Sequence, residues 1–386
     1  MLLYIHVPFC VGKCGYCAFH SGLFSPSDAA RFVDLVVREM ARWAQALGPR
    51  PVRTIYFGGG TPSLLTVSQL GRILDHAVRS FSVLPDAEIT LEANPESAIR
   101  SGFFKQMETL GINRLSLGVQ SLQDELLQVL GRPHDSRQAR LAMDRAVAAF
   151  SNVSVDLIWG LPGQRLDHWM GDLAQTVAAG PQHFSLYGLS LEEGTALQEA
   201  VNCGRLTIPD DEECVDMYSQ AVSNLQAEGF LQYEVSNFSL SGCESRHNAG
   251  YWSGLDYLGL GPGAVSTMGE RRWVNPPNLA AYERLILTGQ GARETEHLSA
   301  EVRRREMVML ALRTRQGLDL NKFKAMAGRH LKLDQNPAVE RLRSSGLIHL
   351  STGHLQLTSA GMLVSNSIIE LVLDLLDGAH DDTGHL

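Results

Sequence analysis

The sequence lacks any apolar run long enough to cross a membrane as a helix, which takes about 18 or more residues. It opens MLLYIHVPFC, with neither a basic stretch nor a long apolar segment behind it, so no secretory signal is expected and a cytoplasmic location is. Positive charge is scarce. Against 42 Asp and Glu stand 33 Lys and Arg, and the net charge of −9 argues against a general polyanion binder. Cysteines number six in 386 residues, which does not read as the disulfide framework of a small secreted domain. A reducing compartment with metal or redox chemistry fits that usage better. No Ser–His–Asp set and no pair of carboxylates stands out as hydrolytic machinery. Gly (36) and Pro (15) are at ordinary levels and apolar residues make up 44%, so the chain is ordered and buries a substantial core.

What is present is alternation. Short β-branched or apolar runs occur at 2–6, 52–57, 88–92, 114–118, 153–159 and 183–189. Helix-like segments lie between them at 28–47, 66–80, 96–110, 123–130, 136–150 and 167–179. Ser27 is the expected N-cap of the first. Six strand–helix units predict an α/β fold with a parallel sheet under helices, too few for a closed eight-fold barrel. The expectation is a partial (β/α)6 barrel over residues 1–235, a connecting segment over 236–291, and a small C-terminal domain over 292–386. In that last part, helices at 300–314 and 336–346 precede a hairpin through Thr352-Gly353, a winged-helix-like α+β order. The run Arg303, Arg304, Arg305 reads as a solvated helix face, so no nucleic-acid partner is expected, and the polar tail from Leu376 reads as frayed.

In sheets of this kind, chemistry sits at the carboxyl ends of the strands. The unusual stretches fall there. The cysteine-rich segment follows the first run, GGGTP (58–62) the second, EANPES (92–97) the third, and Gly118 and Gln120 the fourth. Asp156 lies in the fifth run before GLPGQ (160–164), and Gly188 ends the sixth. Cys10, Cys14 and Cys17 are spaced C-x3-C-x2-C, with no fourth cysteine beside them. Thiolates suit zinc or an iron–sulfur cluster. Zinc would need His6 or His20 as a further ligand. A [4Fe–4S] cubane on three thiolates leaves one iron open to a substrate or cosubstrate, which accounts for the missing fourth ligand.

The spacing, with Tyr16 before the last cysteine, resembles the radical S-adenosylmethionine (SAM) signature. The likeness continues through YIHVPFC (4–10), FGGGTPS (57–63), LEANPE (91–96), NRLSLGVQS (113–121), VDLIWGLPGQ (155–164) and HNAGYW (247–252). Together these resemble the branch holding oxygen-independent coproporphyrinogen III oxidase and its haem-chaperone relatives. The resemblance implies that Cys10, Cys14 and Cys17 hold a [4Fe–4S] cluster and that SAM chelates its open iron. It places Tyr4, Tyr16, Gly59, Gly60, Thr61, Glu92, Gln120, Arg132, Asp156, Gly188 and Val265 along SAM, with the glycine-rich 258–266 loop closing over it. The chemistry implied is one-electron cleavage of SAM to methionine and a 5′-deoxyadenosyl radical.

Within the branch, the oxidase pattern has a further cysteine two places after the triad, where this chain has Phe19, and a long arm before the first strand, for which this chain leaves no room. H-N-x-x-Y-W at His247, Asn248, Tyr251 and Trp252 resembles the chaperone signature. The function implied is therefore haem binding and delivery to respiratory haem proteins, with His247 as candidate axial ligand; oxidative decarboxylation of coproporphyrinogen III is the alternative. A flavodoxin or ferredoxin as electron donor, a monomer or homodimer, and a peripheral membrane contact are compatible with that role.

Overall fold

The computed structural model describes residues 1–377 except 292, 329, 332, 334, 335 and 352. Thr352, the expected hairpin tip, and the tail from residue 378 lie outside the described residues. The chain divides into two compact units: Met1–Met217 with Ser245–His247 and Asp256–His297, and Tyr218–Glu244 with Asn248–Leu255 and Leu298–Leu386.

Six parallel strands run through the first unit: β1 (Leu2–Val7), β2 (Pro51–Gly59), β3 (Ser82–Ala93), β4 (Arg114–Gln120), β5 (Val153–Trp159) and β6 (His183–Gly188). Each pairs in parallel with the next in sequence. A seventh parallel strand, β7 (Tyr257–Leu260), pairs on the free side of β1, and two antiparallel pairings beyond it lead through Val265–Met268 to Arg271–Val274. The β-branched runs read from the sequence are these strands. The third is longer than the run at 88–92, because Ser82 and Val83 pair with Pro51 and Val52 before a register shift near Thr54.

Two helix readings need correction. Ser25, not Ser27, caps the first helix (Pro26–Leu47), since Pro26 takes the first helical position, where a missing N–H costs nothing. The expected helix at 96–110 is two, Pro95–Ala98 and Phe103–Thr109, parted at Gly102, whose φ of 74° is left-handed. The remaining boundaries agree within about two residues.

The second unit has its own core, in which Val308, Leu312, Phe323, Val339, Ile348, Leu355 and Ile368 are buried. Ile348–Ser351 and His354–Leu357 form the expected hairpin, and Leu318–Asp319 adds a third strand. Among the described residues no helix is long and apolar enough to cross a membrane.

Candidate active site at the carboxyl rim

Side chains alternate along a strand, so Tyr4, Tyr56, Glu92, Ser116 and Asp156 share the inner face. Glu92 shows what that face does to a carboxyl. Tyr56 Oη donates to Oε1 at 2.7 Å and the Gly59 N–H donates to Oε2 at 3.2 Å. Burial pushes its pKa up to about 7, against the pull of those donors. Asp156 accepts from Ser116 at 3.1 Å and from Ser154 at 3.3 Å, and burial raises it too.

The loop after β1 is tied down at both ends. Phe24 N donates to Cys10 O at 2.9 Å, Gly15 N to Leu130 O at 3.0 Å, and Leu197 N to Gly15 O at 2.8 Å. Tyr16 packs against Leu126, Leu130, Ile158 and Leu161, and burial pushes its pKa to about 12. The glycines of GGGTP are required by close packing. A Cβ on Gly60 would lie 2.5 Å from Phe9 O, and Gly59, at φ 106°, would put one 2.6 Å from the His6 ring. Gly60 N and Thr61 N in turn donate to Val7 O and Phe9 O at 2.8 and 2.7 Å.

The three thiols are half-buried. Thr61 Oγ1 donates to Cys10 Sγ at 3.6 Å and Arg132 Nη1 to Cys14 Sγ at 3.5 Å, while burial raises the Cys17 thiol. Among the described residues no three His, Cys, Asp or Glu side chains are gathered tightly enough for a single metal ion. A cubane takes one thiolate on each of three irons, and three soft donors flanked by a hydroxyl and a guanidinium suit its negative charge. The residues present fit a cluster.

The other expected positions fall on the same rim, with one exception. Gln120 ends β4 at φ 69°, beside the register shift after Gly118. Gly188 ends β6, where a Cβ would lie 2.8 Å from the Trp159 ring. Val265 starts the strand after the glycine-rich turn, and a Cβ on Gly263 in that turn would lie 3.5 Å from His20 on the cysteine loop. Arg132 Nη2 reaches Gly118 O at 2.8 Å and Asn94 Oδ1 at 2.7 Å.

His247 is the exception. It is 1% exposed, at the start of the helix Arg246–Trp252, and contacts Thr54 and Glu88 below the rim. Its Nδ1 lies 2.7 Å from Thr54 Oγ1, its backbone N–H donates to Glu88 Oε1 at 3.0 Å, and its ring stacks on Tyr56 at 4.8 Å. Burial pushes its pKa down to about 3. The candidate axial ligand of the sequence reading is thus a buried ring held by Thr54 and Tyr56. Asn94 lies in the EANPES stretch but was not singled out. The signal available was a capping residue before a proline, which reads as a plain helix start.

Comparison with known proteins agrees with this architecture. Residues 4–175 match the radical SAM superfamily and residues 298–364 the HemN C-terminal domain. The heme chaperone HemW of Mycobacterium tuberculosis is 37% identical over 96% of this chain and 94% of its own length. That of Bacillus subtilis is 34% identical over 95% and 97%. The chain belongs to the heme chaperone HemW family. A mitochondrial radical S-adenosyl methionine domain-containing protein 1 from Bos taurus is 35% identical over 98% of this chain and 88% of that one. The Escherichia coli coproporphyrinogen III oxidase HemN superposes with a TM-score of 0.82 over 96% of this chain and 89% of that one. At 22% identity it supports the fold alone. Members of the radical SAM superfamily use a [4Fe–4S] cluster and SAM.

Proposed function

We propose that this chain is a haem carrier of the radical SAM type. Cys10, Cys14 and Cys17 hold the cluster, and Tyr4, Tyr16, Gly59, Gly60, Thr61, Glu92, Gln120, Arg132, Asp156, Gly188 and Val265 line the place of SAM. Bound haem passes to haem-accepting proteins of respiration. The observation that carries the reading is the cysteine loop anchored on the carboxyl rim of a chain whose relatives are named heme chaperones. When bound, the cluster and SAM supply one-electron chemistry. The chain's own contribution is to hold them. Glu92 offers a carboxylate to a cationic ligand group, and Arg132 offers a guanidinium to an anionic one. Val11, Phe19 and Leu23, all on the cysteine loop, are 55%, 63% and 74% exposed, which supports an apolar partner such as a porphyrin face beside the cluster. A flavodoxin or ferredoxin as electron donor and a cytoplasmic location belong to the same reading.

The test is anaerobic reconstitution followed by an offer of both haem and coproporphyrinogen III. Haem that stays with the protein on gel filtration, without turnover of the porphyrinogen, is expected. Repeated conversion to protoporphyrinogen IX with no haem retained would overturn the reading in favour of the oxidase. Substituting Phe19 and Leu23 by Ser is expected to lower haem retention while leaving iron and sulfide content unchanged.

A further inference from the structure

Asn94 stands at the N-cap of the helix Pro95–Ala98, ahead of a proline at the first helical position. Asparagine is among the best capping residues because its side-chain oxygen accepts an orphan backbone N–H. Here it makes no such bond. Its side chain is turned instead toward the cysteine loop. Nδ2 donates to Thr61 Oγ1 at 3.1 Å, and Oδ1 accepts from Arg132 Nη2 at 2.7 Å. Those two partners are the groups that donate to thiols, Thr61 to Cys10 and Arg132 to Cys14. One unbroken chain therefore runs Cys10–Thr61–Asn94–Arg132–Cys14, and Asn94 is its midpoint.

The orientation of each member follows from the chemistry. A threonine hydroxyl has one proton to give. Occupying its oxygen lone pair from the Asn94 amide leaves that proton aimed at Cys10. Arg132 is pinned between Asn94 Oδ1 and Gly118 O on one terminal nitrogen, which turns the other toward Cys14.

We propose that Asn94 is a positioning residue for the iron–sulfur cluster: by orienting Thr61 and Arg132 together, it sets the hydrogen bonds to two of the three cluster thiolates and so the potential at which the cluster accepts an electron. Donors to cluster sulfur stabilise the more negative, reduced state over the oxidised one, so losing them lowers the potential. The proposal rests on the cysteine loop holding the cluster.

The experiment is a redox titration of the reconstituted protein followed by the EPR signal of the reduced cluster. In Asn94→Ala, iron and sulfide content are expected to stay at the wild-type level. The ratio of reduced to oxidised cluster at a fixed potential is expected to fall threefold or more, which is about 28 mV at 59 mV per tenfold for one electron. A merely structural residue would leave that ratio alone in protein that keeps its cluster. An unchanged ratio at full cluster content overturns the proposal. Should Asn94→Ala load no cluster, the near-isosteric Thr61→Val decides: a fall in the ratio supports the proposal and an unchanged ratio overturns it. In Asn94→Ala/Thr61→Val the two effects are expected to be less than additive, because they act through one chain; full additivity overturns it. Wild-type protein that takes up neither iron nor sulfide overturns the cluster reading beneath the proposal, and the proposal with it.

Discussion

Two glutamates on one strand live different lives. Glu92, at the carboxyl end of β3, accepts from a tyrosine and one backbone N–H, and its neighbours lead on to a loop of half-buried thiols. Glu88, four residues earlier on the same inner face, accepts the N–H groups of Arg246 and His247 at 2.8 and 3.0 Å and is 5% exposed. At the floor the partners are backbone groups of a helix end, fixed for structural reasons. At the rim they are a tyrosine hydroxyl and the N–H of a glycine in the GGGTP turn. Polarity and burial alone do not separate binding from structure; depth along the strand does. The same contrast divides two of the motif residues read from the sequence, Cys14 at the rim and His247 at the floor.

The comparison breaks most sharply at the cysteines. Replacing any one of Cys10, Cys14 and Cys17 by Ala is expected to abolish the cluster, since two thiolates hold a cubane poorly. Wild-type iron and sulfide content in Cys14→Ala would remove the rim from metal chemistry.

At the floor the expected damage is to stability. Glu88→Ala strands one buried and one part-buried N–H group, a loss of about 2 kcal/mol, visible as a lower thermal midpoint with the cluster still loaded. His247→Ala should act in the same way through Thr54 and Tyr56, leaving haem retention as it was. Haem lost from His247→Ala at an unchanged midpoint would restore the histidine to the haem site.

How far the sequence foretold this contrast depends on range. The six strands were legible because β-branched runs and strand-end glycines are local signals. The rim was legible because fold topology alone puts loops such as GGGTP on one side. Asn94 was not legible, since its partners Thr61 and Arg132 lie 33 and 38 residues away and its local signal pointed to a cap. The depth of His247 was hidden for a related reason. A His-Asn-x-x-Tyr-Trp string gives residue types but no depth, and the contacts that bury it come from Thr54 and Tyr56, nearly two hundred positions earlier.

Glu92 sharpens the comparison through pH. Glu92→Ala is expected to weaken SAM binding about 10- to 150-fold, for a lost charged hydrogen bond of about 1.5–3 kcal/mol. In the wild type, burial raises the carboxyl to about 7 from an ordinary 4.5. A raised acid binds protons more tightly in the folded state, so its stability contribution is complete below its unfolded value and is lost as pH climbs to about 7. Binding of a cationic group runs the other way, because only the ionised form attracts it. SAM affinity is expected to rise about fivefold from pH 6 to pH 7 and level off above. Calorimetric titration across that range tests this, and a flat profile would take Glu92 out of the ligand's reach.

The smallest effect concerns Gln120, the one described non-glycine residue with a positive φ, 69°. An L residue in that conformation carries a strain of roughly 1–2 kcal/mol. Strain of that size persists where the surroundings over-determine the backbone, and here the register shift between β4 and β5 turns the residue at the rim. Glycine accepts the same φ freely but adds chain entropy to the unfolded state, about 0.5–1 kcal/mol. Gln120→Gly also removes a side chain that is only 9% exposed. The terms oppose, and the thermal midpoint is expected to change by no more than the equivalent of about 1 kcal/mol. SAM affinity, in contrast, is expected to drop, because the proposed site places this side chain along SAM. A large loss of stability with unchanged SAM binding would move Gln120 from the rim's function to the barrel's architecture, the role that Glu88 fills at the floor.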